Sequence, residues 1–438
     1  MGIQYPVVSP LSYPTNIPSV EPDSDLTLDY DFRRSSGSTI GSVVKRGPVP
    51  IFTRATAGWH FNAAKVLVEA AIDEPRFDHD PVTGAALGLL REEERENLCL
   101  QSENLATTWQ ATSTTLTGGQ TAPDGTASAF DVLHDDNDSS MNQNFTVTDN
   151  TVYCVSVFIK QGVTGSHDWV QFKYDEQSGG PNGIRGWWDL SNSAAAGQVQ
   201  AEGTGTLTAT GVIDEGGGWY RIWMSGQIAS GQTDARIQFF NATADASTTE
   251  EDTNSVLWWG FQLEIGTFPT SYIPTTTIAV TRAADVCSTT DVGWLNQSAG
   301  ALYVEANTIG AFTGGVISLN DSTSDERIDI TVVDADDGWL DITVGGISEA
   351  VWSSSVAMNI DVYANGAFVK SAIAYELNNA NAAVNGVAGD VDTEVTIPTT
   401  DRLYVGVDPF GRQFSGHITQ VKYWNVRKPD GFLQNITV

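Results

Sequence analysis

The chain has 438 residues and carries 54 acidic against 22 basic side chains, a formal net charge of −32. That balance excludes the clustered Lys and Arg that nucleic-acid phosphates require and disfavours anionic membranes; beyond that it speaks to solubility rather than to fold. Hydrophobic residues at 41% suffice for real cores, and this length implies two or three domains.

At the N-terminus there is neither a charged-then-apolar leader nor an apolar run near the ~18 residues of a membrane span, so the expectation is synthesis in the cytoplasm without a secretion address and no membrane insertion. Prolines stand at 6, 10, 14, 18 and 22, a strict period of four. Proline fixes φ, removes a donor and pushes the preceding residue to extended conformations, so neither helix nor inner strand forms here. Apolar residues interleave with the prolines. The pattern reads as an extended docking arm in which Tyr5, Pro6, Pro10, Leu11, Tyr13, Pro14, Ile17 and Pro18 lie along a partner surface; a disordered tail is the alternative. Residues 23–50 read as a polar connector, within which Leu26, Leu28, Tyr30 and Phe32 alternate and can form one strand.

Between Gly84 and Gln101 two readings compete. Leu87, Leu90 and Glu94 fit a helical face and LREEERENL holds strong helix formers, but Glu92 and Glu96 are a like-charge i,i+4 pair. An extended start followed by a helical turn is the preferred reading. Ser102-Glu103-Asn104-Leu105 before Trp109 is suited to cap one short helix.

From about residue 100 onward the pattern is all-β. Short alternating or apolar runs at 152–159, 169–174, 184–190, 219–224, 235–240 and 256–265 are separated by turn clusters such as GVTGS, QSGGPNG and DEGGG. They predict an antiparallel sandwich of jelly-roll type over 101–282. A hinge over 283–298 leads to a second set of runs, at 301–305, 315–319, 327–333, 339–344, 358–363, 368–375, 402–407 and 413–424. These predict a second sandwich over 299–438.

Chemistry-bearing motifs are sparse. Cys99, Cys154 and Cys287 are too widely spaced for zinc, and their odd number argues against a disulfide framework; small buried hydrophobes is the better reading. None of the five histidines has metal-ligand spacing, and no nucleophile elbow, Walker loop or zincin pattern occurs. Glycoside hydrolysis needs only two carboxylates, but there is no coil-length internal repeat of the β-helix kind, so no enzyme is expected. Sugar binding is the live reading, since aromatic rings stack on sugar faces. The candidates are Trp187, Trp188, Trp258, Trp339 and Trp352. In the Trp187-Trp188 and Trp258-Trp259 pairs strand alternation sends one ring inward and one outward; packing against a neighbouring loop or subunit is the alternative for the outward ring. Trp219, Tyr220 and Trp223 read as core. Calcium takes six to eight oxygens, and the loops with Asp135, Asp136 and Asp138, and with Asp334 and Asp336, offer several; plain solvated turns are the alternative, and no other cofactor is expected.

One block is far more specific. Residues 73–98 read DEPRFDHDPVTGAALGLLREEERENL, and Phe52-Thr53-Arg54-Ala55-Thr56, Gly217-Gly218-Trp219-Tyr220-Arg221, Trp259 to Glu264, Phe268 to Thr276 and Val280 to Asp285 accompany it. Together they resemble a pattern of tailed-bacteriophage virion appendage proteins, in which E-P-R-F-D-Y-D-P-x-T-G and G-L-L-x-E-x-x-R-T-N-L precede an all-β domain. His79 replaces the usual aromatic and Glu96 the usual Thr. Phe414 to Ile418 and Val421 to Trp424 resemble the last strands of concanavalin-like (laminin-G-like) sandwiches. The resemblance covers 52–285 well, 300–438 more loosely, and 1–50 hardly at all. It implies a non-enzymatic head fibre, spike or tail fibre on the virion exterior, forming homotrimers, joined to other virion proteins through the arm, and binding host-surface polysaccharide. The alternatives are a purely structural decoration or tail-assembly protein and, third, a polysaccharide-degrading enzyme.

Overall fold

The computed structural model describes the chain except residues 1–22, 35–38, 136–138, 166–167, 179, 181, 250–253, 311–312, 334–337 and 354–365. The proline-rich arm, the run at 358–363 and most of the two acidic loops therefore lie outside the described residues. What is described is nearly all β, with Asp430–Ile436 the one α-helix. No described helix is long and apolar enough to cross a membrane.

The first sandwich is a jelly roll. Ala129–His134, Val256–Ile265, Tyr153–Gln161 and Tyr220–Gln227 lie in that order in one six-stranded antiparallel sheet; Ser140–Thr146, Asp234–Ala242, Trp169–Glu176 and Gly183–Asp189 lie in that order in the other. Successive strands thus wind in pairs between the two layers. Alternation fills the space between them with Val155, Val157, Phe172, Tyr174, Ile222, Phe239, Trp258, Phe261 and Leu263.

The second sandwich is built from both ends of the chain. Its nine-stranded sheet runs Val44–Arg46, Leu26–Asp31, Gly416–Trp424, Ala299–Thr308, Val369–Glu376, Asn379–Val384 and Val387–Ala388. Ala86–Arg91 adds to the other end of Gly416–Trp424 and carries Phe77–His79 with it. The facing seven-stranded sheet runs Ile347–Ser353, Gly338–Val344, Arg327–Val332, Gly314–Asn320, Arg402–Val405, Val286–Thr289 and Ile51–Thr53. Leu28, Tyr30, Phe32, Phe52 and Leu89 share one core with Leu302, Ile317, Ile330, Leu340, Val405 and Val421.

Several expectations are corrected here. The alternation of Leu26, Leu28 and Tyr30 does mark a strand, but residues 23–50 are not a connector: that strand pairs with the C-terminal one, Leu28 opposite Tyr423. The supposed hinge over 283–298 contains Val286–Thr289, an inner strand between Arg402–Val405 and Ile51–Thr53. The second sandwich is therefore not confined to 299–438, and the jelly roll is inserted into it. No helical turn forms in the Gly84–Gln101 block, which gives the strands Ala86–Arg91 and Arg95–Asn97; two sheets compete for its backbone, and tertiary pairing overrides propensity. The short helix expected at Ser102 is likewise a series of bends.

Candidate functional site

The residues of the phage-like pattern converge on one buried junction. Arg54, Arg76, Arg91, Glu92, Arg282 and Asp285 are all buried. Arg76 bonds Glu92 at 2.6 Å and Asp285 at 2.5 Å; Arg54 bonds Asp285 at 3.2 Å and Arg282 lies 3.5 Å from Glu92. Ser271 closes the network, donating from its backbone N–H (2.7 Å) and hydroxyl (2.6 Å) to Glu92. Burial pushes the Glu92 carboxyl up, but Arg282 and Arg76 outweigh it and hold it well below the usual carboxylate range. Asp285 is held down in the same way by its arginines. The motif glycine Gly88 has φ +112, and a Cβ there would sit 2.5 Å from the Ile418 carbonyl oxygen. The pattern thus specifies how the two sandwiches are welded, through arginines whose bidentate donors suit buried carboxylates.

The tryptophan candidates are mostly in the core. Trp187, Trp188 and Trp258 are fully buried, as is Trp259, and Trp352 is 4% exposed. Alternation does put neighbouring rings on opposite faces, but both faces are covered. Trp188 and Trp258 fill the jelly-roll interior. Trp259 packs outside it against Phe61, Leu67, Phe158 and Tyr272, under the hairpin Gly58–Phe61/Leu67–Ala70. Trp187 donates to the Ser247 carbonyl at 2.7 Å beneath Arg185, and Trp352 to that of Asp390 at 2.9 Å. Of the core expectations, Trp219 is buried, while Tyr220 and Trp223 are half-buried. The three cysteines are buried and unpaired with one another.

Trp339 is different: it is 44% exposed. It stands on the outward face of the seven-stranded sheet, where Ile328, Ile330, Leu340 and Ile342 point inward. The alternate positions Arg327, Asp329, Thr331, Trp339 and Asp341 line a groove of about 490 Å³ with Ser348, Val351, Phe410 and Arg412. Phe410, 55% exposed, has two guanidiniums over its ring, Arg327 at 5.2 Å and Arg412 at 4.9 Å from its centroid. Arg327 reaches Asp329 at 3.0 Å and Asp341 at 2.5 Å, and Ser348 donates to Asp341 at 2.6 Å. Asp329 is buried with one oxygen, Oδ1, lacking a hydrogen-bond partner. Burial pushes this carboxyl up to about 7, with Ser318 and Arg327 only partly offsetting it. The result is a trough with aromatic platforms and a floor of charge-paired donors and acceptors. Of the groove's residues only Trp339 was picked out from sequence. Phe410 and Arg412 sit in a loop before the last strand and carry no periodic signal.

Of the calcium candidates, Asp136, Asp138, Asp334 and Asp336 lie outside the described residues, and Asp135 accepts from the Thr115 hydroxyl at 3.0 Å. Among the described residues no group of three or more His, Cys, Asp or Glu is placed to hold a metal ion.

No protein-family model matches this chain, and no curated protein does. Similar solved structures include the sialidase CBM40 of Ruminococcus gnavus bound to alpha2,3 sialyllactose, at 12% identity and TM-score 0.28 over 33% of this chain and 84% of that one. The CBM22-1 xylan-binding domain of Paenibacillus barcinonensis shows 12% identity and TM-score 0.25 over 39% and 92%. Mouse laminin alpha1 domains LG4-5 show 8% identity and TM-score 0.25 over 66% and 87%. At such scores these likenesses carry no argument about what this chain binds.

Proposed function

We propose that this chain is a non-enzymatic appendage of a phage particle, a head fibre, spike or tail fibre, that binds host-surface glycan through the groove around Trp339. The observation that carries the binding is the groove itself. Exposed Trp339 and Phe410 line the groove with aromatic surface for sugar rings, and the Arg327–Asp329–Asp341–Ser348 array offers fixed donors and acceptors to hydroxyls. Each such contact is weak; a homotrimer would gain by effective concentration. The reading needs no cofactor, and calcium at the Asp135 or Asp334 loops would be an addition to it. The phage reading rests on the motif resemblance, and in it the protein is made in the host cytoplasm and sits on the outside of the virion.

Trp339→Ala and Phe410→Ala should each weaken binding to purified host polysaccharide by about 2 kcal/mol, roughly thirtyfold. Both side chains are exposed, so folding should be unchanged. Parent-like binding by both variants would hand the case to the structural-decoration reading. That second reading has its own support, because the phage-like residues are buried in the weld between the sandwiches. Location is tested separately. A chain lacking residues 1–22 should fold, remain soluble and fail to join the particle, and normal incorporation would remove the docking role of the arm.

A further inference from the structure

A second cavity, of about 640 Å³, opens between the two sandwiches, lined by the phage-like block, the jelly roll and the last strand. Its walls include Trp59, Phe158 and Tyr272 on one side and Leu90, Ile309 and Phe368 on the other. The ion network described above holds both walls, so the cleft exists before any ligand arrives.

Two of the five carboxyls that line this cleft, Glu215 and Asp78, are in opposite states. Glu215 is only 8% exposed, yet its side chain has no hydrogen bond or ion pair among the described residues. The cation that acts on it, Arg221, is committed to the Thr270 carbonyl at 2.7 Å and the Ser156 hydroxyl at 2.9 Å. Burial, reinforced by Asp78 and Asp214 and opposed by Arg221, pushes Glu215 up to about 8. At neutral pH it holds a proton with nothing in the protein to donate it to. Neither of its oxygens is sealed from solvent, so the carboxyl opens on the cleft, where a ligand can partner it. Asp78 is fixed and ionised. It accepts from the Phe61 backbone N–H at 2.8 Å and meets His417 Nε2 at 2.8 Å. His417 Nδ1 lies 3.0 Å from Asn307 Oδ1. Burial would raise Asp78, but the His417 hydrogen bond and charge hold it below the usual carboxylate range. His60, also on the cleft, is pushed down by burial to about 4 and stays neutral.

We propose that the interdomain cleft binds the end of a short uncharged saccharide, with Glu215 donating to one hydroxyl, Asp78 accepting from another, and its more exposed aromatic side chains, Trp59 and Phe368, covering ring faces. An anionic sugar would meet Asp78, Asp80 and Asp214 at the walls. Each Asp78 oxygen already accepts one hydrogen bond, which fixes the carboxylate, and keeps a second lone pair for a ligand hydroxyl. The cleft is separate from the Trp339 groove and does not depend on it.

The test is saturation-transfer NMR and calorimetry on the full chain with a panel of neutral oligosaccharides of one to four units, alongside sialyllactose, spermidine and calcium chloride. Neutral sugars should bind. Glu215→Ala and Phe368→Ala should weaken them about tenfold or more, as expected for an unmet hydrogen bond or lost ring contact. Glu215→Gln, which keeps a neutral donor, should bind within a few-fold of the parent and shows that the fold survives. Trp339→Ala should leave this binding unchanged, so failure of the groove and failure of the cleft are distinguishable. The proposal is overturned by no binding of any neutral sugar, by binding only of the charged probes, by parent-like affinity of Glu215→Ala, or by release of reducing ends from the oligosaccharides.

Discussion

Asp329 and Glu92 show how far the environment decides what a carboxyl does. Both are buried, yet Glu92 meets two arginines and Asp329 keeps an unpartnered oxygen. Their effects on stability have opposite signs. For Asp329, whose folded value is raised from 3.8 to about 7, the native state binds the extra proton across that window. Stability is therefore fully present below about pH 4 and falls as pH rises through about 7. For Glu92 and Asp285, held down in the fold, stability is present above the ordinary carboxylate range and is lost as pH falls. Urea unfolding of the parent should show stability falling between about pH 4 and about pH 8, Asp329 contributing on the order of 2 to 4 kcal/mol and Glu215 a loss of its own. Asp329→Asn should remove its share of that slope and leave the Glu215 share and the acid limb intact. The groups facing Asp329 are Arg327, Asp341 and Asp408, so an unchanged slope in the variant would assign the effect elsewhere.

At the level of elements, the short strand Ala86–Arg91 joins the two halves of the molecule. It pairs with the last strand, Leu89 opposite Ile418, and delivers Glu92 to Arg76 and Arg282. Removing one member of a buried ion pair leaves the other desolvated and costs about 3 to 5 kcal/mol. Glu92→Gln should therefore lower thermal stability by about that amount, with Arg76 left facing a neutral amide. A shift of only a few tenths of a kcal/mol by calorimetry would mean that the network is solvated in solution. The helical propensity of LREEERENL was legible and misleading, because a sheet edge on each side claimed its backbone. The jelly-roll strands were far easier to read: the run at 256–265 coincides with the strand Val256–Ile265. By contrast Thr206–Asp214 and Ala195–Glu202, whose side chains are partly wet, lie outside the runs that the sequence marks.

For the whole molecule, insertion of the jelly roll into the second sandwich reverses the natural guess about fragments. Residues 299–438 alone lack Leu26–Asp31 and the turn after it, Phe32–Arg34, together with Ile51–Thr53, Ala86–Arg91 and Val286–Thr289, hence Leu28, Tyr30, Phe32, Phe52 and Leu89 of the core. Each fully buried side chain of this size contributes about 2 kcal/mol, and together they rival a domain's whole net stability of about 5 to 15 kcal/mol. That fragment should be unfolded or insoluble, whereas residues 98–276, which hold both six-stranded sheets, should unfold cooperatively by themselves. Circular dichroism and calorimetry of the two fragments decide it; cooperative melting of 299–438 would refute the composite sandwich.

Period-two alternation and turn clusters are local properties of the chain, and they determined the all-β class, the jelly-roll strands and the inward-facing residues. The specificity of the DEPRFDHDP block was likewise plain from sequence, though not its purpose. Strand pairing between residues hundreds of positions apart is not local. Only the tertiary structure decided that Leu28 meets Tyr423, that both faces of the Trp187-Trp188 and Trp258-Trp259 strands are covered, and that Arg54, Arg76, Glu92 and Asp285 form one buried network. Alternation says which residues share a face of a strand; what lies over that face depends on chain from elsewhere. For the same reason Trp339 is exposed on its groove while Trp187, Trp188, Trp258 and Trp352 are buried.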